Sequence, residues 1–350
     1  MQSAPSFAWL DEFRQLGPGQ LQDMTGRLAA VEPPLSPEGP DPGLPLRPIL
    51  MRRRHLREQE RIGSTLIRLL VAVAHRRAAG DPGRLGELLD EEPLPGAALG
   101  AAREGGWCAA ALPHEGVWQF TGFEQRPSGS AVEAVGAVGT AHASCVVADR
   151  LKSKGASIGC PDPARIGAGA VPRTSGTAQG RWYSNRLLLA WLHEERTAFG
   201  PHHAQLVERH VPATYPVADR TVLIGGTVTP LLAHLVAERT GYLLKSARPG
   251  ARPGTVLGRA TSPGAWHRAL EDAVSGRTRL VAQRLAPSGR VAVPVGRADG
   301  TWRLEALQAR VEAHYCRARY AGSLVRLLGP PDATGGGAAA GLSAVLSLDP

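Results

Sequence analysis

The stretch from Thr240 to Arg297 constrains the fold most tightly, because it packs strand, loop and helix signals into one short run. Tyr242-Leu243-Leu244 is apolar and ends in Lys245, and two Pro-Gly steps, Pro249-Gly250 and Pro253-Gly254, lead into Thr255-Val256-Leu257. Apolar runs separated by Gly and Pro punctuation read as strand, loop, strand. Thr261 and Ser262 with Pro263 behind them start a helix, Trp266, Leu270 and Val274 line one face of it, and Gly276 stops it. Leu280 to Leu285 and Val291 to Val295 are two further strands, turned by Pro287-Ser288-Gly289.

Chemistry enters at the first of these hairpins. A lysine at the end of a buried strand, followed by a loop in which Gly250 and Gly254 let the backbone approach a ligand closely, suits a polyphosphate bound by charge and N–H groups. No Gly-Lys-Ser/Thr opens a helix here, so this is not a Walker A loop. Of the 40 Lys and Arg residues only those at 152, 154 and 245 are lysine. Placing one of them in this loop selects a compact ammonium on a flexible stem over a planar guanidinium.

The order LLKS, a glycine-containing loop, TVLG, the TSPGAW helix, LVAQRL, VAVPVGR and then ARYAGSLVRL with TGGG resembles the C-terminal half of circularly permuted ATP-grasp proteins of the glutathionylspermidine-synthase-like group. The resemblance runs from about Asn185 to the end and is weaker before it. It implies an α/β (α+β) fold with two lobes, mixed sheets flanked by helices, and ATP held between the lobes with Mg2+. It implies a ligase that activates a carboxylate as an acyl phosphate and joins it to an amine. Lys245 with Gly250 and Gly254 would then hold the phosphates and Gln283 would meet the adenine. Arg319 and Arg326, seven apart and on one face if helical, would stabilise charge on the transferred phosphoryl group. The family's lysine near the start of the helix after Ser184-Asn185 is replaced by Arg186.

Two departures accompany this resemblance. In WQFTGFEQRPSG the positions that hold magnesium in the family fall on Gly122, Glu124 and Arg126, so Glu124 is the candidate metal ligand and Glu133 a more distant one. Glycine offers no side-chain ligand and arginine repels a cation. At the strand joining the lobes, the family's Gln-Glu pair is Gln283-Arg284. The alternative expectation is therefore an ATP-grasp-shaped scaffold that binds without turnover.

Elsewhere the chain supplies a frame. Phe7 to Leu28 reads as two short helices and Val31 to Pro48 as a proline-rich connector. Arg52 to Ala79 is the clearest amphipathic helix, with Leu56, Ile62, Leu66, Leu70 and Val73 on one stripe and a solvated arginine-rich start. A second helical turn follows at Leu85 to Leu89, then a strand around Trp118 and Phe120, a helix and strand within Ala141 to Ile166, and a Gly/Ser/Thr-rich loop from Gly167 to Gly180. Val222 to Ile224 leads to a helix containing Leu231, Leu235 and Val236, Trp302 to Tyr315 is a strand and amphipathic segment, and the Gly-Ala tail is a final strand. The domains expected are 1–48 (helices and connector), 49–183 (an N-terminal lobe with the metal-loop strand) and 184–350 (the ATP-grasp-like lobe).

Composition excludes several classes. With 43% hydrophobic and 20% charged residues the chain is neither disordered nor a membrane protein. Net charge +9 would suit an anionic partner, but arginine is scattered and aromatics are 5%, so nucleic acid is not expected. Cys108, Cys145, Cys160 and Cys316 form no CxxC pair, which argues against a zinc motif or disulfide framework and fits a cytoplasmic protein. His193, His202, His203 and His210 repeat no metal-ligand spacing. Small carboxylate and amine substrates are the expected partners, with a protein partner or homo-oligomer left open and no membrane. The Gly, Ala, Pro and Arg bias is that of a GC-rich genome such as an actinobacterium's, a context for biosynthetic, secondary metabolism.

Overall fold

The computed structural model describes residue 19 and residues 44–45, 49–79, 81–89, 106–126, 182–248, 251, 254–296, 301–316, 319–331 and 337–348. In chain order these form β1 (Leu44–Pro45), β2 (Ile49–Arg52), α1 (Arg53–Ala78), α2 (Pro82–Leu89), β3 (Gly106–His114), β4 (Val117–Arg126), α3 (Leu187–Glu194) and α4 (Pro201–His210). There follow β5 (Thr214–Pro216), β6 (Thr221–Ile224), β7 (Thr227–Pro230), α5 (Leu231–Ala237), β8 (Tyr242–Ser246), β9 (Thr255–Leu257), α6 (Pro263–Val274) and β10 (Leu280–Arg284). The last four strands are β11 (Arg290–Gly296), β12 (Trp302–Cys316), β13 (Arg319–Pro331) and β14 (Gly337–Leu348). The architecture is mixed α+β, with antiparallel sheets and helices packed on them.

The large sheet runs β1-β11-β12-β13-β14-β2, with the β3–β4 hairpin joined to the far end of β12. Every pairing is antiparallel except β14 with β2. Its strands come from both sides of residue 184. Alternation dictates its faces. Val311, Ala313 and Tyr315 of β12 and Ala109 and Ala111 of β3 are buried in one apolar core with Ile62, Leu66, Leu70 and Val73 of α1. Burying such aliphatic side chains is worth about 1.5–3 kcal/mol each. Gly63 lets the helix come in close, since a Cβ there would lie 1.9 Å from Tyr315 Oη, and that hydroxyl donates to Gln59 O at 3.0 Å. The β3–β4 turn has positive φ at both central residues, Glu115 (47°) and Gly116 (79°), the twist-matched geometry of a two-residue hairpin.

The second sheet, β5-β10-β8-β9, is antiparallel throughout. It buries Tyr242, Leu244, Leu280 and Ala282 against α5 and α6. Ser262 caps α6, its hydroxyl accepting from Ala265 N at 3.3 Å. Val274, expected on the same face as Trp266 and Leu270, turns outward at 44% exposed, and Ala273 completes the buried face of α6 instead. Among the described residues no helix is long and apolar enough to cross a membrane. The stretches around Phe7–Leu28, Ala141–Ile166 and Gly167–Gly180, and the residues Gly250 and Glu133, lie outside the described residues, Gly19 apart.

Candidate functional site

Strand parity in β8 sends Tyr242, Leu244 and Ser246 inward and Leu243 and Lys245 to the opposite side. That side faces the large sheet across a cleft of about 650 Å³, lined by Lys245, Gln283, Thr121, Arg259, Arg284, Arg290 and Arg310 among others. The volume is that of an ordinary small-molecule site.

Lys245 is held from two directions. Its Nζ donates to Gln283 Oε1 at 2.8 Å, on the adjacent strand β10, and to Thr121 O at 3.3 Å on β4. The β3–β4 register slips at Thr121, between the pairs Ala110–Gly122 and Ala111–Phe120, and such a bulge re-aims local backbone. Gln283 is buried and donates from Nε2 to Thr214 Oγ1 at 3.1 Å, and Thr214 donates to Pro212 O at 2.8 Å. This chain of bonds fixes which end of the Gln283 amide faces the lysine. Burial, then the positive charges of Arg186 and Arg310, push Lys245 down to about 7. Among the described residues no carboxylate pairs with it.

Arg186 adds a second cation. Its Nη1 donates to Ser246 O at 2.5 Å and to Arg248 O at 3.4 Å, and its own N–H donates to Ala247 O at 2.8 Å, so it is sewn to the strand that carries Lys245. Burial, then Arg310, lowers its pKa, with Glu124 opposing. Asn185 Oδ1 accepts from Leu187 N at 3.0 Å at the entry to α3. The sequence reading noted Arg186 without placing it in the site and missed Arg310, Thr121 and Thr214.

The other expected residues distribute unevenly. Gly254 O accepts from Ser246 N at 3.4 Å beside the lysine strand. Arg319 and Arg326 do not lie on a helix: both belong to β13, which runs unbroken from Arg319 to Pro331 because β12 and β14 flank it. Arg326 sits opposite Arg310 and donates from Nε to Glu312 Oε1 at 3.1 Å, whereas Arg319 is exposed and opposite Cys316. Six residues of β12 separate those two registers, about 20 Å of strand, so they do not act at one point.

Glu124 is exposed on β4, opposite Cys108, and Gly122 is opposite Ala110. His314 pairs with Cys108 across β12 and β3, and Glu312 is the next β12 residue on the same face. Donor atoms of Cys108, Glu312 and His314 lie within 4.8 Å of one another, and all three residues are buried. Magnesium takes a near-octahedral oxygen set. Two carboxylates, of which Glu312 is already held by Arg326, with a glycine, a thiol and an imidazole are not that set, so the residues around Glu124 do not fit magnesium.

No protein-family model matches the chain, and no curated protein matches it in sequence. Among solved structures it is similar to the apo form of a glutathione synthetase-like effector from Globodera pallida, at 8% identity and TM-score 0.44, covering 95% of this chain and 98% of that chain. A likeness this remote transfers neither activity nor site residues.

Proposed function

We propose that the cleft binds ATP in the manner of a circularly permuted ATP-grasp protein and that the chain is a carboxylate–amine ligase. The observation that carries the reading is Lys245: a lysine facing a cleft between the two sheets, held by Gln283 and flanked by Arg186 and Arg310, with no carboxylate on it among the described residues. Concentrating positive charge in a partly enclosed site is unfavourable unless an anion completes it. A triphosphate does so, and the order of sequence motifs around Lys245 supports the same ligand.

In this reading a substrate carboxylate oxygen attacks the γ-phosphorus, the bond to the β–γ bridging oxygen breaks, and ADP leaves. The amine nitrogen then attacks the acyl carbon, the carbon–oxygen bond to phosphate breaks, and phosphate and a proton depart. Lys245, Arg186 and Arg310 neutralise phosphate charge, and the cleft holds the reactants together. Small carboxylate and amine substrates, a cytoplasmic setting and biosynthetic metabolism belong to this proposal. Incubation with ATP, hydroxylamine and a panel of carboxylates tests it: an acyl phosphate yields a hydroxamate and phosphate in equal amounts, and Lys245→Ala abolishes both. No ATP-dependent hydroxamate with any carboxylate would count against turnover.

One observation favours a second reading, a scaffold that binds the nucleotide without turnover. Gly122 stands where a metal-holding side chain is expected and contributes none. Nucleotide binding without hydroxamate would select it.

A further inference from the structure

The face of the large sheet that looks toward the cleft carries more than cations. Cys108 on β3 and His314 on β12 are directly opposed, Glu312 is two residues from His314 on the same face, and Glu124 on β4 is opposed to Cys108 from the other side. Four side chains with metal-binding donors thus lie in one patch across three neighbouring strands. Directly opposed residues on adjacent antiparallel strands have Cβ atoms roughly 4.5–5.5 Å apart. Cys108, Glu312 and His314 are 5%, 8% and 0% exposed, and their donor atoms lie within 4.8 Å of one another.

We propose that Cys108, Glu312 and His314 bind a divalent transition metal of the zinc class, with Glu124 beside them as a fourth donor. Zinc–sulfur and zinc–nitrogen bonds of about 2.3 and 2.1 Å place tetrahedral ligand atoms about 3.5 Å apart, so side-chain adjustments of the order of 1 Å close the site. A thiolate with an imidazole selects such a metal over magnesium and calcium, which prefer oxygen. Charge balances as well. A thiolate and two carboxylates sum to three negative charges, offset by a divalent ion and by Arg326. That arginine holds Glu312 Oε1 at 3.1 Å, which orients the carboxylate. The proposal stands apart from the nucleotide reading, since none of the three principal ligands is one of the groups assigned to phosphate.

The test is cobalt titration of the full-length protein after chelator treatment, followed by absorption. One equivalent of Co2+ gives a thiolate-to-cobalt charge-transfer band with tetrahedral bands in the visible, Zn2+ bleaches both, and a large excess of Mg2+ leaves them unchanged. Cys108→Ser loses the charge-transfer band while the other cysteines remain. His314→Gln weakens affinity by more than the roughly 10- to 100-fold lost when a group merely supporting a ligand is removed. Wild-type protein that gives no charge-transfer band, or a band of equal intensity in Cys108→Ser, overturns the proposal, and the wild-type measurement stands even if a variant fails to fold.

Discussion

Along β12, neighbouring residues answer to different chemistry. Val311, Ala313 and Tyr315 point to α1 and are fully buried among aliphatic side chains, while Glu312 and His314, on the opposite face, are buried almost as deeply. Packing accounts for the first set, because removing apolar surface from water is reason enough for its burial. It does not account for the second, because a carboxylate and an imidazole lose solvation when they are covered. Arg310, on the same face, lines the cleft that holds Lys245. The same strand therefore packs against α1 on one side and lines the cleft on the other, and Gly63 and Arg310 probe the two sides separately.

The sharpest break of that comparison is at Gly63. Gly63→Ala drives a methyl group into Tyr315 and is expected to lower stability by up to about 3 kcal/mol, read as a fall in the denaturant midpoint, with nucleotide affinity of the folded fraction unchanged. Next in size is Glu312→Ala, which strands the part-buried Arg326 and is expected to cost about 2 kcal/mol of stability. On the cleft side, Arg310→Gln is expected to weaken ATP binding by roughly tenfold, about 1.4 kcal/mol, and to leave thermal stability as it was. Equal stability losses for Gly63→Ala and Arg310→Gln would erase the distinction between the faces.

A further effect is on pH dependence, and its sign follows from Lys245. Its folded pKa of about 7 lies below the ordinary lysine value, so between those limits the unfolded chain holds the proton and the folded chain does not. Folding stability therefore rises with pH across that window, with a slope of at most about 1.4 kcal/mol per unit from this group, and the penalty is full below pH 7. Lys245→Met is expected to flatten the slope. A bound polyphosphate favours the charged lysine, so ATP binding above pH 7 is expected to take up a proton, detectable by calorimetry in buffers of different ionisation enthalpy.

How much of this was legible in the sequence depended on how local the signal was. Lys245 at a strand end, Ser262 as a cap and the long amphipathic α1 are each specified by residues close in the chain, and each is found where the pattern put it. Arg319 and Arg326 would share a face on a helix, but pairing with β12 and β14 makes that segment a strand. The alternation Arg310, Glu312, His314 between Val311 and Ala313 was a period-2 signal that would have put those three polar residues on one face. Their meeting with Cys108 and Glu124 was not legible, because it depends on inter-strand register between distant segments. Arg186 reaches the site through backbone carbonyls of β8 and the residues after it, a contact that no motif encodes.

The central claim, that the cationic cleft is a polyphosphate site centred on Lys245, is tested most directly by calorimetric titration of ATP, and of adenosine as a phosphate-free control, into wild-type protein and Lys245→Ala. The account predicts micromolar ATP binding to the wild type, at least a tenfold loss in the variant, and much weaker binding of adenosine to both. ATP binding that is absent, or equal in the two proteins, would contradict it.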